Sequence, residues 1–563
     1  MSRRLGGSML RALSLSVCAV LGLSVFACSS SDETQVNPNC SNGSCSQCAN
    51  CFDLCVCATG DTAACGPACQ VSSSGGTGAG GAGGSPSGGG GTPAGGSGGT
   101  IPSGGLATGL AISEIHVFQA VDVPVMQNWA EPPRKAPVVT DREAVFRVFV
   151  TPEASYQARE IVARVELGGG TPGSFDGKAF IGGASSMTDP NSTIQVSIPP
   201  GAIKADATYT VSLLEATQGG SFSGSSDQAK FGAVNLGAQN SGTFNVTVVP
   251  IVVNGITPKT DANAVQAYHD RLFKLYPTAE IAVNVRAPAS YGGNPPQPTS
   301  ISGWNQLLNW LMQLRSQDKP PANTFYYGVF TPTNSFFQFC SGACIAGLSN
   351  TPANQPNDVL ARTGMGLGFF PSDGNPSSSD TMAHEVGHAL GLFHAPCQTQ
   401  DADPSFPYPG GGIGTWGWDI FTKNFLNPSG YKDIMGYCDP TWTADFTFNK
   451  MFKRMAYVNG TGDIAVSSDP KRAPGLFQTA IFDEDGTLSW GYPIDTPWPV
   501  LTDEVTLEVL DSTGKVVGKV TGFEYPFGHA GKSRFLLVRD SGLKLPKAAS
   551  LRPAGTLASL PLP

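Results

Sequence analysis

Charged residues are scarce in this chain, at 14% of the total, and no excess of basic ones exists, the formal net charge being −9. That argues against a nucleic-acid binder, which usually shows a basic patch. Histidine is scarcer still, with six residues in 563. Past the N-terminus no apolar stretch is long enough to span a bilayer, and no internal repeat stands out. What is abundant is glycine, at 70 residues. The length accommodates several domains of about 100–200 residues each.

The first residues read as an export signal. Arg3, Arg4 and Arg11 form a positive region, and residues 12–27 form an apolar one too short for a comfortable membrane span. It ends in Val25-Phe26-Ala27-Cys28-Ser29, which resembles a bacterial lipobox. That resemblance implies a signal peptide over 1–27, with Cys28 lipidated and holding the mature chain to a membrane as a surface or outer-membrane lipoprotein. Phe26 is bulkier than the residue usual there, which leaves an ordinary signal peptide and a freely secreted protein as the alternative. Residues 28–70 carry eight further cysteines: Cys40, Cys45, Cys48, Cys51, Cys55, Cys57, Cys65 and Cys69. An even count in a short exported stretch implies a disulfide knot, although the C-x-x-C of Cys48 and Cys51 keeps a metal cluster open. Residues 71–107 are almost pure Gly, Ser, Thr, Ala and Pro, a composition that reads as a flexible tether.

Three folded regions are expected beyond it. Over 108–250, β-rich runs at 144–150, 161–167, 193–198, 209–214 and 243–249 alternate with Gly/Pro/Asn/Asp turns, as in a β-sandwich. Over 251–458 helix and strand alternate. Asp261 can cap a helix carrying Val265, Tyr268 and Leu272, and Trp304, Leu307, Leu308, Leu311 and Leu314 mark a second. Strands are expected at 280–286, 324–330 and 364–370, and a closing helix at 443–458 turns Phe448, Met451, Phe452 and Met455 inward. Over 459–563 short β runs return, at 505–510 and 534–538, as a smaller β domain. The fold class is therefore multidomain, an α+β region flanked by β-sandwich-like domains.

The chemistry is concentrated in His384-Glu385-Val386-Gly387-His388-Ala389-Leu390-Gly391-Leu392-Phe393-His394, which holds three of the six histidines. Residues four apart share a helix face, so His384 and His388 can meet one metal ion. Glu385 stands beside that ion rather than on it. Gly391 can take a positive φ, end the helix and let the chain return with His394 as third ligand. Three imidazoles with a fourth position open is a catalytic zinc arrangement. The remaining histidines, His116, His269 and His529, have no ligand spacing and read as surface or satisfied core residues.

HExxHxxGxxH resembles the metzincin clan of zinc endopeptidases. The clan also places a Met-turn after the third histidine, and Asp433-Ile434-Met435-Gly436-Tyr437 supplies it, with Met435 beneath the metal. In astacin-like and serralysin-like enzymes a Tyr two residues after this Met approaches the zinc, and Tyr437 holds that position. The resemblance covers about 250–458 and implies one catalytic Zn²⁺ on His384, His388 and His394. It further implies Glu385 as general base, Tyr437 as transition-state stabiliser, and protein substrates. Glycoprotein substrates enter through a looser likeness to bacterial metzincins that attack mucin-like targets and also carry a leading β domain. A backbone edge near 364–370 would take the substrate as an added strand. Cys397 follows His394 by three residues and Cys438 follows Met435 by three, so a bridge between them would tie the third ligand's loop to the Met-turn. Cys340–Cys344 is the companion pair. No matrixin cysteine-switch motif is recognisable. Trp416, Trp418 and Asp419 line either a specificity pocket or a packed core. Asp483-Glu484-Asp485-Gly486 hints at Ca²⁺ but lacks EF-hand spacing and reads as a turn. The rival reading of the whole is a non-catalytic surface adhesin on a zinc-protease scaffold, which an intact Glu385 disfavours. A zinc hydrolase for other bonds is a further rival, disfavoured by the long motif and Met-turn.

Overall fold

Alternating apolar and polar residues build the first layers. Eight strands run in sequence: β1 (Leu110–Phe118), β2 (Asp122–Gln127), β3 (Ala144–Pro152), β4 (Arg159–Gly168), β5 (Gly173–Ile181), β6 (Ile194–Ile198), β7 (Thr208–Glu215) and β8 (Lys230–Asn235). They form two antiparallel sheets, ordered β2-β1-β3-β6 and β5-β4-β7-β8. Ile112, Phe146 and Val148 of the first sheet share one buried cluster with Ile161, Val165, Val211 and Leu213 of the second. Arg164 and Glu166 fall on the alternate positions of β4 and stay outside the core. Each large apolar side chain so buried contributes about 1.5–3 kcal/mol. The computed structural model describes residues 101–563 apart from 102, 171, 221, 353–357, 371–377, 400, 461–466, 529–532 and 557. Cys28, the eight clustered cysteines and His529 lie outside the described residues.

His116 of β1 is a core histidine with both nitrogens satisfied. Nδ1 meets Asp122 at 2.7 Å and Nε2 meets Glu114 at 2.8 Å. Burial alone would lower its pKa, but the two carboxylates overcome this and raise it to about 9. A folded-state pKa raised above the unfolded value gives stability that is complete below about pH 6.5 and lost as pH rises through about 9. Thermal melts of the wild type should therefore lose on the order of a few kcal/mol between neutral and alkaline pH, a loss absent from His116→Gln. Equal pH slopes in the two proteins would contradict this assignment.

The second region centres on a mostly parallel sheet of β9 (Phe244–Val252), β10 (Ile281–Val285), β11 (Ala289–Ser290), β12 (Thr324–Phe330), β13 (Gly347–Ser349) and β14 (Thr363–Leu367). Its order is β10-β9-β12-β14-β13, with β11 also on β9. The β run at 243–249, expected to close the sandwich, is instead β9 at the heart of this sheet, parallel to both β10 and β12. A single apolar run carries no signal for which sheet it joins. The run expected at 364–370 is strand only as far as Leu367, as part of β14, an interior strand flanked by β12 and β13, so it presents no free edge. The edge is β13, which runs antiparallel to β14.

Four helices pack on this sheet: α1 (Ala262–Leu275), α2 (Ile301–Asp318), α3 (Ser378–Ala389) and α4 (Asp445–Gly460). Asp261 caps α1 by accepting from the Asn263 and Ala264 amides, relieving two orphan donors. Tyr268 and Leu272 are buried, while Val265 is half-buried. All five expected apolar positions of α2 are buried, as are Phe448, Met451, Phe452 and Met455 of α4.

Beyond α4 lies an eight-stranded antiparallel sheet containing Gly475–Phe482, Asp503–Leu510, Val516–Pro526 and Arg534–Arg539. It rests on α2: Trp304 and Leu308 share a buried cluster with Phe477, Ile481 and Phe535. Gln306 Nε2 donates to Ser489 Oγ at 3.0 Å, and Asn305 donates to Asp483. No helix among the described residues is long and apolar enough to cross a membrane.

Candidate metal centre

Helix α3 is fixed before its histidines are. Tyr276 of the α1 C-terminus donates to the Ala383 carbonyl at 2.7 Å, and Ser378 Oγ donates to Leu367 at 2.9 Å. The helix then stops abruptly. Gly391 has φ +86°, Leu392 N–H returns to the Gly387 carbonyl, and Gly391 N–H returns to that of His388. This is the Schellman termination that glycine permits. The chain turns back, and His394 arrives against α3.

The three imidazoles converge. His388 Nε2 lies 3.1 Å from His384 Nε2 and 3.2 Å from His394 Nε2. All three residues are buried. The opposite ring nitrogens reveal the tautomers. His384 Nδ1 donates to the Ile434 carbonyl, His388 Nδ1 to the Leu392 carbonyl and His394 Nδ1 to Asp401, each at 2.7 Å. With Nδ1 protonated in each ring, the three Nε2 atoms turn lone pairs toward one point. Three buried acceptors facing each other repel unless a cation sits among them. Neutral nitrogen donors of this kind suit zinc, so the residues present fit the ion. These three form the sole group of at least three His, Cys, Asp or Glu ligands, among the described residues, whose ligand atoms come this close.

Asp401 was not anticipated. It belongs to the loop after His394, where Asp403 N–H also donates to the His394 carbonyl at 2.7 Å. A carboxylate on the far nitrogen fixes the ring and raises its basicity as a ligand. Nothing in the spacing marks Asp401, because the loop could fold either way. Asp433 is a second such residue. Fully buried, it accepts from the Met435 amide at 2.9 Å and the Ala444 amide at 2.7 Å. It thereby holds the turn that carries Met435. Met435 Sδ stands only 2.6 Å from where a Cβ on Gly387 would be, so the thioether packs directly beneath α3.

Glu385 points from α3 toward β13, its carboxylate lying against Gly347. Burial pushes its pKa up to about 8, with His384 and His394 pulling the other way. Tyr437 is half-exposed, and its hydroxyl lies 3.1 Å from His394 Nε2. Burial, then the charges of Glu385 and Asp401, push the phenol upward, so it keeps its proton and can donate. Cys397 and Cys438 are bridged, and Cys340 is bridged to Cys344. The first bridge joins the loop after His394 to the segment after Met435. A cleft of about 480 Å³ opens here, lined among others by Ile345, Gly347, Thr381, His384, Glu385 and Tyr437.

The weaker candidates fall elsewhere. Trp418 is buried with Phe118 and Val145, and Asp419 pairs with Lys274 and caps its own turn, so these residues pack the sandwich against the second region. Asp483–Gly486 is a tight turn, closed by Gly486 N–H on the Asp483 carbonyl. His269 stacks on Phe273 and meets Asp270, remote from the three-His set.

Comparison with known proteins finds the same region. Residues 349–458, which carry the three histidines, Glu385, Met435 and Tyr437, match Peptidase M66. Pappalysin-1 of Homo sapiens and that of Mus musculus are each 29% identical over 202 residues, 29% of this chain and 12% of the relative. The chain thus spans about an eighth of the length of these curated relatives, by the 12% covered. Metalloproteinase-II from Bacteroides fragilis, a crystal structure, is 12% identical with a TM-score of 0.21, over 59% of this chain and 87% of that one. The three-His site is consistent with zinc in a segment similar to Peptidase M66.

Proposed function

We propose that the chain is a zinc-dependent endopeptidase that hydrolyses peptide bonds of extracellular proteins or glycoproteins. The observation that carries this reading is the convergence of three Nδ1-protonated imidazoles beside a buried carboxylate, at the floor of a cleft bordered by a strand edge. His384, His388 and His394 would hold the zinc, which when bound lowers the pKa of a water toward about 7 and polarises a carbonyl.

The chain's own groups supply the rest. An extended peptide adds to the edge of β13 at Gly347, which sets the scissile carbonyl over the histidines. Glu385 takes a proton from the attacking water and delivers it to the departing amine. Burial raises its pKa, and a cation held by the neighbouring histidines would lower it again and leave the carboxylate able to accept that proton. Tyr437 keeps its hydroxyl proton and donates it toward the developing oxyanion. Asp401 and Asp433 position His394 and Met435 without touching substrate.

The export signal and Cys28 support a surface-tethered enzyme. Two measurements on the full chain test the reading. Zinc removal should abolish cleavage of an unfolded protein substrate, and zinc alone should restore it. Wild type should fractionate with membranes while Cys28→Ser does not. Full zinc occupancy with no cleavage of any protein offered would favour the adhesin instead. A wild type wholly soluble in the medium would refute the anchor.

A further inference from the structure

The outer edge of β13 borders the cleft at Gly347, where nothing among the described residues pairs with it, but it is closed two residues later. Gly528 N–H donates to the Ser349 carbonyl at 2.7 Å, and Thr351 N–H meets the Pro526 carbonyl at 3.4 Å. Between them Asn350 faces Phe527 in an antiparallel bridge. These bonds fall on alternate residues, as rungs of an antiparallel ladder do. The partner segment continues strand Val516–Pro526, so it belongs to the C-terminal sheet.

The segment is anchored firmly. Phe527 is buried with its ring 5.2 Å from Phe535, which stacks on Tyr525 at 4.9 Å. Gly528 presses close to the metal site: a Cβ there would stand 3.1 Å from His388 Cγ. On the other side of Gly347, the Ile345 amide is engaged by the Pro298 carbonyl at 2.8 Å. An edge strand normally offers every second residue for pairing. Here the rungs on both sides of Gly347 have internal partners.

We propose that the C-terminal sheet caps the edge strand, with Phe527–Gly528 filling the ladder positions where a substrate main chain would continue. The proposal rests on the peptidase reading above. A peptide added antiparallel to β13, the direction the cap itself takes, turns its N-terminal side toward the cap. Main-chain recognition on that side ends at the rung beside Glu385. Residues further toward the substrate's N-terminus leave the ladder and contribute nothing to binding through it. The C-terminal sheet is thus a specificity-determining part of the cleft, and an endopeptidase built this way reads its substrates through the cleft lined by Thr381 and Tyr437.

The test uses the zinc-loaded full chain and a peptide series lengthened residue by residue on the N-terminal side of a fixed cleaved bond. On an open edge, two more main-chain hydrogen bonds would raise kcat/KM roughly ten- to thirtyfold. The cap predicts a change of less than about threefold, well under the worth of that pair. Phe527→Gly, which loosens the cap, should restore the gain. A tenfold rise in wild type overturns the proposal. Hydrogen exchange on wild type needs no cleavage. The Gly528 and Thr351 amides should exchange far more slowly than that of the exposed turn residue Ser512, and exchange at the turn's rate overturns the cap. Protected amides in a protein that cuts no peptide would leave the cap standing and remove the peptidase reading alone.

Discussion

Glu385→Gln should retain zinc and fold while losing about 10²–10⁴-fold or more in turnover. Glutamine keeps the size and hydrogen-bonding reach of the side chain but cannot accept a proton from the attacking water. Two proton transfers fail together, since the same carboxylate serves the water and the leaving amine. Stability should hold or rise, because burial makes this carboxylate costly to ionise. The loss should appear in kcat with KM little changed, the sign of a group that acts in the transition state. Wild-type turnover by this variant, at equal zinc content, would remove Glu385 from the chemistry. Tyr437→Phe provides the graded comparison: it deletes one donor and leaves the proton carrier intact.

His388→Ala should have the other large effect, and on a different observable. His388 lies between its neighbours, 3.1 Å and 3.2 Å from their Nε2 atoms, and its Nδ1 also secures the Leu392 carbonyl at the helix end. Removing it takes away a ligand and leaves a buried carbonyl without its donor. Zinc affinity should fall by more than the about 10–100-fold that loss of an outer partner costs. The thermal midpoint should fall as well, because metal binding energy is coupled to folding. Titration of zinc into the metal-free protein with a competing chelator reads the first, and melts with and without zinc read the second. Unchanged zinc affinity would show that the imidazoles do not share an ion.

How much of this was legible in the sequence depended on where the signal lay. The histidine spacing is a local code, so the metal set and the Gly391 termination follow from helix geometry and one permissive residue. The helices of the second region were equally plain, because Trp304, Leu307, Leu308 and Leu311 repeat with the helical period. Residues 243–249 read plainly as strand, yet their sheet did not: a buried parallel strand and a sandwich strand are both short apolar runs. The substrate edge was misplaced for a related reason. Residues 364–370 look like a Gly-rich edge, but β13 adds outside the strand they hold, and three residues between loops make no pattern of their own. Asp401, and the hold of Asp433 on the Met435 turn, escaped notice because each is a contact made after the loops close. The place of Tyr437 beside His394, by contrast, was expected only from its distance from Met435 and the family resemblance, not from any periodicity.

The cap on β13 illustrates the limit further. Phe527 and Gly528 stand more than a hundred residues from His388 in sequence, and only the fold brings them beside it. Asp122 and His116 stand only six residues apart, yet their pairing depends on a hairpin register that a β-bulge shifts.

The central claim is that this chain cleaves peptide bonds with a metal-dependent centre built on His384, His388, His394 and Glu385. Its most direct test is to incubate the purified full chain with a complex protein mixture and map the N-termini that appear. The account predicts new termini with the wild type, none after zinc is stripped, and none with Glu385→Ala. A terminus map indistinguishable among the three samples, with zinc confirmed in the wild type, would contradict it.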